Sequence, residues 1–357
     1  MAQASLDRIP TVVEAGWGAL ARLGEIAGRV GPDSYMIAAD MNVPRDIVEA
    51  VLRQLPNARG PYYGRGEESK SLEWVLGLLD EMISAGLTRS SLLLAVGGGA
   101  ILDAAGFAAS IYMRGVRLGY VPTTSLSMFD AAVGGKTAIN YLGRKNVLGT
   151  FYHPHFVVAD ASILARLPRE RLVEGIAELV KHAVISGWSG LDMVEGVLPG
   201  VLDLEPEPLV EAVKWSLEFK LSIVSKDFRD EKGIRAVLNL GHTAGHAIEA
   251  CSGFKVSHGR AVSVGLVWEL EASSIIVGTP RDLKTLVSRL LGEAGLPISL
   301  EDLGLTPGEV IPCIASDKKR RGRTMLFPIV EDAGRVEVRV FDIAELSQLL
   351  IKASGGL

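Results

Sequence analysis

Three short segments in the second half of the sequence carry residues suited to holding one divalent metal: Glu178 in EGIAELVKH, His242 in NLGHTAGHAIE and His258 in SHG. Two imidazoles and a carboxylate are a common ligand set for catalytic zinc, because they leave a position open for water or substrate. His246 lies four residues after His242 on the same helical face, so spacing alone leaves open which two of the three histidines would be ligands. Glu178 shares its own helical face with Glu174 and Lys181, at spacings of four and three. Taken alone, that segment also reads as a solvated face of intrahelical ion pairs.

A second kind of chemistry sits upstream. The run SLLLAV leads into Gly97, Gly98 and Gly99 and then into AILDAAGFAAS, a strand–glycine–helix transition. The backbone N–H groups and the positive end of such a helix receive a pyrophosphate. The glycines do not form the GxGxxG fingerprint, and the carboxylate able to read a ribose, Asp40, comes earlier, at the end of a preceding strand. Thr123 and Thr124 add hydroxyls beyond another strand. Lys136 follows two glycines, Lys145 and Asn146 follow Gly143-Arg144, and Arg235 and Asn239 precede His242. Cations and amides beside turns grip phosphate and carboxylate by charge-assisted hydrogen bonds. A metal site beside a nucleotide site implies an enzyme.

The elements that must position these groups change type part-way along the chain. Tyr35 to Ala39, Ser91 to Val96, Leu118 to Val121 and Phe156 to Ala159 read as buried strands. Helical patterns separate them at Pro44 to Leu55, Lys70 to Ala85 and Ile101 to Met113. Such alternation predicts a mostly parallel sheet, with ligands at the carboxyl ends of its strands. Beyond Pro168 the pattern is helical over Arg171 to Ser186, Glu207 to Lys226, His242 to Ser252, Ala261 to Ile276, Arg281 to Glu293 and Ile343 to Lys352. One hairpin joins Thr324 to Val330 with Arg335 to Val340. The expected fold class is an α/β N-terminal domain with a mostly parallel nucleotide-binding sheet, residues 1–167, and a mainly α-helical metal- and substrate-binding domain, residues 168–357.

Composition narrows the classes. With 48 % hydrophobic and 22 % charged residues the chain is a folded globular protein, and a formal charge of −5 offers no field for nucleic acid. Cys251 and Cys313 lie far apart without CxxC spacing, so the expectation is two free, buried thiols in a reducing compartment. No run approaches the roughly 20 apolar residues that span a bilayer, and the first residues lack a signal-peptide core. A cytoplasmic protein without a membrane partner is expected.

In order, GGGAILDAAGFAASIYMRG, VPTTSLSMFDAAVGGKTAIN, GRKNVLGTFYHP, EGIAELVKH, IRAVLNLGHTAGHAIE and SHGRAVSVG, ending near SDKK, resemble the 3-dehydroquinate synthases of the sugar phosphate cyclase superfamily. The wider superfamily includes iron-dependent alcohol and glycerol-1-phosphate dehydrogenases. The resemblance makes Glu178, His242 and His258 the ligands of Zn2+, with Co2+ as a substitute, and moves His246 to the phosphate and proton-transfer side. It places NAD on Asp40, Asn42, Glu67 to Lys70, Gly98, Gly99, Ala100, Asp103, Thr123, Thr124, Lys145 and the stretch from Ile163 to Arg166. Substrate would meet Asp130, Lys136, Asn146, Lys181, Lys220, Arg235, Asn239, His246 and Lys318, while Arg114 would reach the site of a second copy, implying a homodimer. His246, Lys181, Lys136, Arg235, Asn239 and Glu231 are the implied catalytic set.

The implied reaction converts 3-deoxy-D-arabino-heptulosonate 7-phosphate to 3-dehydroquinate and phosphate, a step of the shikimate pathway. It runs by transient NAD-dependent oxidation, phosphate elimination, reduction and intramolecular aldol closure, with no net redox change. Two departures stand out. Glu174 occupies a place where the family has a small or amide residue. The segment from Arg229 to Gly233 is one residue longer than usual, which leaves either Asp230 or Glu231 for the family's acidic role. The alternatives are another sugar-phosphate cyclase, an iron- or zinc-dependent polyol-phosphate dehydrogenase, and a non-catalytic binding protein on the same fold. Lys220 and Arg235 resemble the cations that hold a substrate carboxylate, which favours the shikimate substrate.

Overall fold

The run from Leu92 to Val96 is fully buried on both faces, which alternating side chains allow only in a strand covered above and below. In the computed structural model, which describes residues 11–314 and 323–356, this run is the centre of a six-stranded sheet. Its strands are β1 (Val12–Gly16), β2 (Tyr35–Asp40), β3 (Arg59–Gly64), β4 (Leu92–Gly97), β5 (Arg117–Pro122) and β8 (Phe156–Asp160). They lie in the order β1-β8-β5-β4-β2-β3, and every pairing is parallel. Helices α1 (Leu23–Val30), α2 (Arg45–Gln54), α3 (Leu72–Ser84) and α4 (Gly99–Ile111) return the chain between strands. A separate antiparallel hairpin, β6 (Lys136–Tyr141) with β7 (Arg144–Phe151), packs on α4.

The parallel register puts every strand's carboxyl end on one edge. Asp40 pairs with Gly64, and Gly97 with Pro122. Asp40, the three glycines and Thr123-Thr124 therefore share that edge, as the alternating pattern implies.

The remaining elements are α5 (Arg169–Ser186), α6 (Trp188–Leu202), α7 (Pro206–Val224), α8 (His242–Cys251), α9 (His258–Val277), α10 (Arg281–Glu293), α11 (Pro307–Ile314), β9 (Thr324–Asp332), β10 (Arg335–Asp342) and α12 (Ile343–Ala353). Their core gathers Ile248, Val264, Trp268, Val310, Phe327, Leu346 and Leu350. Trp268, fully buried, donates its indole N–H to the Leu350 carbonyl at 2.9 Å, so the polar end of this large side chain is satisfied. The chain divides into two units, Met1–Leu167 with Leu209–Leu221, and Pro168–Pro208 with Ser222–Leu357. Among the described residues no helix is long and apolar enough to cross a membrane.

The cysteines correct an expectation. Cys251 and Cys313 form a disulfide with their Cα atoms 6.0 Å apart, and no cysteine is free. Sequence separation hid the pairing: α8 ends at Cys251 and packs along α11, which brings two residues 62 positions apart into bonding range. With both thiols paired, the cysteines give no indication of a reducing compartment. Disulfides mark oxidising compartments but also occur inside hyperthermophiles.

Candidate functional site

In the second unit, two helix packings bring three remote segments together. Gly259 lies against the backbone of α5, where an added Cβ would stand 2.2 Å from the Glu174 carbonyl oxygen. Gly265 lies against the turn before α8, where a Cβ would stand 2.0 Å from the Gly241 oxygen. Only glycine permits either approach. As a result α9, which opens on His258, meets both the Glu178 helix and the His242 helix.

The outcome is a cluster in which Glu178, His242 and His258 offer ligand atoms all within 4.8 Å of one another. Glu178 Oε1 is 3.4 Å from His242 Nε2 and 3.2 Å from His258 Nε2. Tetrahedral zinc, with bonds of about 2.0–2.1 Å, sets its ligand atoms about 3.3–3.4 Å apart, so the donor types fit the ion and both Glu178–histidine distances match its spacing. Glu178 is 1 % exposed, and its other oxygen pairs with Lys181, equally buried. One carboxylate oxygen thus faces the histidines and the other a fixed cation. His242 donates Nδ1–H to the Leu240 carbonyl at 3.1 Å. Burial alone would lower the pKa of His258, but its hydrogen bonds to Glu178 and Glu249 outweigh it, and the ring is pushed up to about 10. Protons and metal ions compete for such a nitrogen.

His246 lies one turn along α8, its ring centroid 5.4 Å from that of His242 and 6.3 Å from that of His258. A second set, His246, Glu249 and His258, also brings its ligand atoms within 4.8 Å. Glu174 is buried and accepts from Arg171 at 3.4 Å.

Upstream of the histidines, the segment from Arg229 to Gly233 is organised by an acid that is not among the candidate residues above. Asp227, 1 % exposed, accepts from the backbone N–H groups of Glu231 at 2.9 Å, Lys232 at 3.1 Å, Ile234 at 3.0 Å and Arg235 at 3.4 Å. Glu231 is exposed and Asp230 half-buried in the left-handed region, whereas Arg235 is buried and donates to the Phe228 carbonyl at 3.2 Å. Asn239 closes the same turn before α8. Burial would raise the Asp227 carboxyl, but its backbone donors hold it below the usual 3.8. A depressed folded-state pKa contributes stability that is full above the unfolded value and fades as pH falls through the folded one. The stability difference between wild type and Asp227→Asn is accordingly expected to be constant above about pH 5 and to shrink below about pH 4. Urea unfolding of both proteins across that range checks it, and a pH-independent difference would contradict the carboxylate's role.

In the first unit, Gly98 caps α4 with no side-chain hydrogen bond, and a Cβ there would come 3.1 Å from Thr124 Cγ2. A bare helix N-terminus under a backbone groove at the sheet's carboxyl edge fits a pyrophosphate. Asp40 accepts from the Asn42 backbone and side chain, both at 2.9 Å, and from Gly66 N–H at 3.1 Å. Buried Lys70 and half-buried Asp103 form an ion pair at 2.5 Å. Burial raises the Asp103 pKa despite Lys70. Asn140, not singled out by its type, donates to Glu67 at 2.7 Å and accepts from Asn146 N–H at 2.9 Å, tying the β6–β7 hairpin to the Glu67–Lys70 turn.

Lys220 binds Asp130 through both its carboxylate, at 2.8 Å, and its carbonyl, at 2.7 Å. Lys136 is exposed at the start of β6 and Lys145 half-buried in β7. Thr123 donates its N–H to Gly97 at 3.0 Å, and the Thr124 hydroxyl meets Ser127 at 2.9 Å. Ala100 follows in the first turn of α4 and Ile163 is buried. Arg166 makes a two-pronged exposed pair with Asp46, at 2.6 and 2.9 Å. Arg114 is not brought to this edge: it is exposed beyond the far end of α4, which is about 20 Å long. Lys318 lies outside the described residues.

Family models for the 3-dehydroquinate synthase N-terminal and C-terminal domains match residues 62–174 and 175–320. The chain belongs to the 3-dehydroquinate synthase family. The 3-dehydroquinate synthase of Aeropyrum pernix is 41 % identical across 100 % of both chains. Among solved structures, a 2-deoxy-scyllo-inosose synthase complexed with carbaglucose-6-phosphate, NAD+ and Co2+ superposes with a TM-score of 0.84 at 26 % identity, covering 95 % of this chain and 96 % of that one. The fold is also that of 2-epi-5-epi-valiolone synthase from Streptomyces hygroscopicus subsp. jinggangensis 5008, solved with NAD+ and Zn2+, with a TM-score of 0.83 at 22 % identity over 97 % of each chain. As a member of the 3-dehydroquinate synthase family, the chain is an enzyme, a phosphate-eliminating carbon–oxygen lyase.

Proposed function

We propose that this enzyme converts 3-deoxy-D-arabino-heptulosonate 7-phosphate to 3-dehydroquinate and phosphate, using NAD and Zn2+, as a cytoplasmic homodimer. The observation that carries the metal assignment is the convergence of Glu178, His242 and His258, with ligand atoms within 4.8 Å and both histidines 3.2–3.4 Å from the same Glu178 oxygen. When bound, metal and NAD supply Lewis-acid polarisation and a returnable hydride. The chain's own residues orient the substrate and move protons. Lys181 holds the Glu178 carboxylate by charge, and His246 sits one turn from His242 as the proton-transfer imidazole. Arg235, buried on the turn held by Asp227, is the fixed cation for the substrate carboxylate. In the first unit the bare N-terminus of α4 and Asp40 are the NAD contacts, with Lys136, Asn146 and Lys220 toward substrate. Arg114, exposed away from the glycine edge of its own chain, serves a second copy.

Incubation with the heptulosonate phosphate, NAD+ and Zn2+ should release phosphate and dehydroquinate in equal amounts, with no lasting NADH absorbance. A net dehydrogenase would instead accumulate NADH with product. The likeness to 2-deoxy-scyllo-inosose synthase favours a second reading, a cyclase acting on a sugar phosphate without a carboxylate. Arg235→Ala separates the two. It should lower kcat/KM for the heptulosonate phosphate by about 2–3 kcal/mol, roughly 30- to 150-fold, because a desolvated carboxylate loses its ionic partner. Unchanged turnover would favour the other cyclase.

A further inference from the structure

Two helices of the second unit each open on a histidine of the cluster, α8 on His242 and α9 on His258. Each helix also carries a buried carboxylate further along, Glu249 on α8 and Glu269 on α9. Each carboxylate serves the other helix's histidine. Glu269 accepts from the backbone N–H groups of Gly241 at 2.7 Å and Ala244 at 3.0 Å. That clamps the turn whose Leu240 carbonyl receives His242 Nδ1–H. Glu249 faces His258 directly, its Oε2 3.3 Å from Nδ1.

Both rings are thus held at Nδ1 by an oxygen that only accepts, and both turn Nε2 toward Glu178 Oε1. An imidazole held this way keeps its proton on Nδ1 and leaves Nε2 as the nitrogen for a metal. We infer that Glu249 is a positioning residue for His258, fixing its tautomer and ring orientation as the Glu269-clamped Leu240 carbonyl does for His242. The inference rests on the reading of Glu178, His242 and His258 as metal ligands. It also decides between the two donor sets that share His258, making Glu249 the outer partner of that ring and not a ligand beside His246.

The test is titration of the metal-stripped full chain with Co2+, followed by its visible d–d absorption, for wild type, Glu249→Gln and Glu249→Ala. Thermal unfolding of the metal-free proteins runs alongside. The expected result is one Co2+ bound by each protein with the same spectrum, weakened ten- to hundredfold in Glu249→Ala and less in Glu249→Gln, whose amide oxygen still accepts. Metal-free melting temperatures should fall somewhat in both variants, because Glu249 also holds the protonated His258 ring, with each variant still folded at the titration temperature. Unchanged Co2+ affinity in both variants would overturn the positioning role. A changed spectrum that His246→Ala reproduces would also overturn it, by making Glu249 a direct ligand. Failure of the wild type itself to bind Co2+ would remove the metal reading, and this inference with it.

Discussion

Replacing Glu178 by glutamine, or His258 by alanine, is expected to lower turnover by at least about a thousandfold and to leave the purified protein without bound metal. The magnitude follows from the several kcal/mol that a Lewis-acid ion supplies to developing negative charge. Glutamine keeps the shape of residue 178 but gives the histidine pair a neutral oxygen, so the site loses its only formal charge among the three ligands. Alanine at 178 is the poorer test. It would also empty the volume of a side chain that is 1 % exposed and remove both acceptor oxygens that face Lys181 and the histidines, so loss of packing would mix with loss of metal. Metal content after dialysis, read beside initial rate, checks the expectation. Exhaustive chelation of the wild type should give the same inactive state, and Zn2+ or Co2+ should restore it. Full activity in a chelated enzyme would end the metal assignment.

Reduction of the Cys251–Cys313 disulfide is expected to destabilise the protein by roughly 4 kcal/mol, the chain-entropy value for a loop of this length. The bond joins residues 62 positions apart and so constrains a long stretch of unfolded chain. For a unit of this size that corresponds to a fall in melting temperature of about 8–16 °C. Cys251→Ser and Cys313→Ser should each melt like the reduced wild type, and reductant should then have no further effect on either. Identical melting with and without reductant in the wild type would mean that the thiols are unpaired in solution.

Much of the fold is legible because its signals are local. The buried strand runs, each ended by Gly, Pro or Asp, appear where the pattern puts them, and parallel pairing follows from the helices between them. What escapes depends on tertiary contact. The β6–β7 hairpin carries Lys136, Asn146 and their glycines, and its charges read more readily as loose ligands than as strands. The start of α9 is masked by Gly259, which looks like loop punctuation but is the residue that lets the helix touch α5. The disulfide escapes because sequence distance says nothing about the packing of α8 on α11. At the site, the triad is visible as residue types in suggestive segments. Spacing alone could not choose among three histidines, and nothing in a lone Asp227 announces four backbone donors.

The middle of α7 belongs with the first unit while both its ends belong with the second. That segment supplies Ser216, which donates to the Phe129 carbonyl at 2.8 Å, and Lys220, which holds Asp130. A fragment cut after Leu167 would leave its own 127–131 turn unbraced. The two halves are therefore not exchangeable cassettes, and hybrids spliced at that point with a distant relative should fail unless residues 209–221 travel with the N-terminal piece.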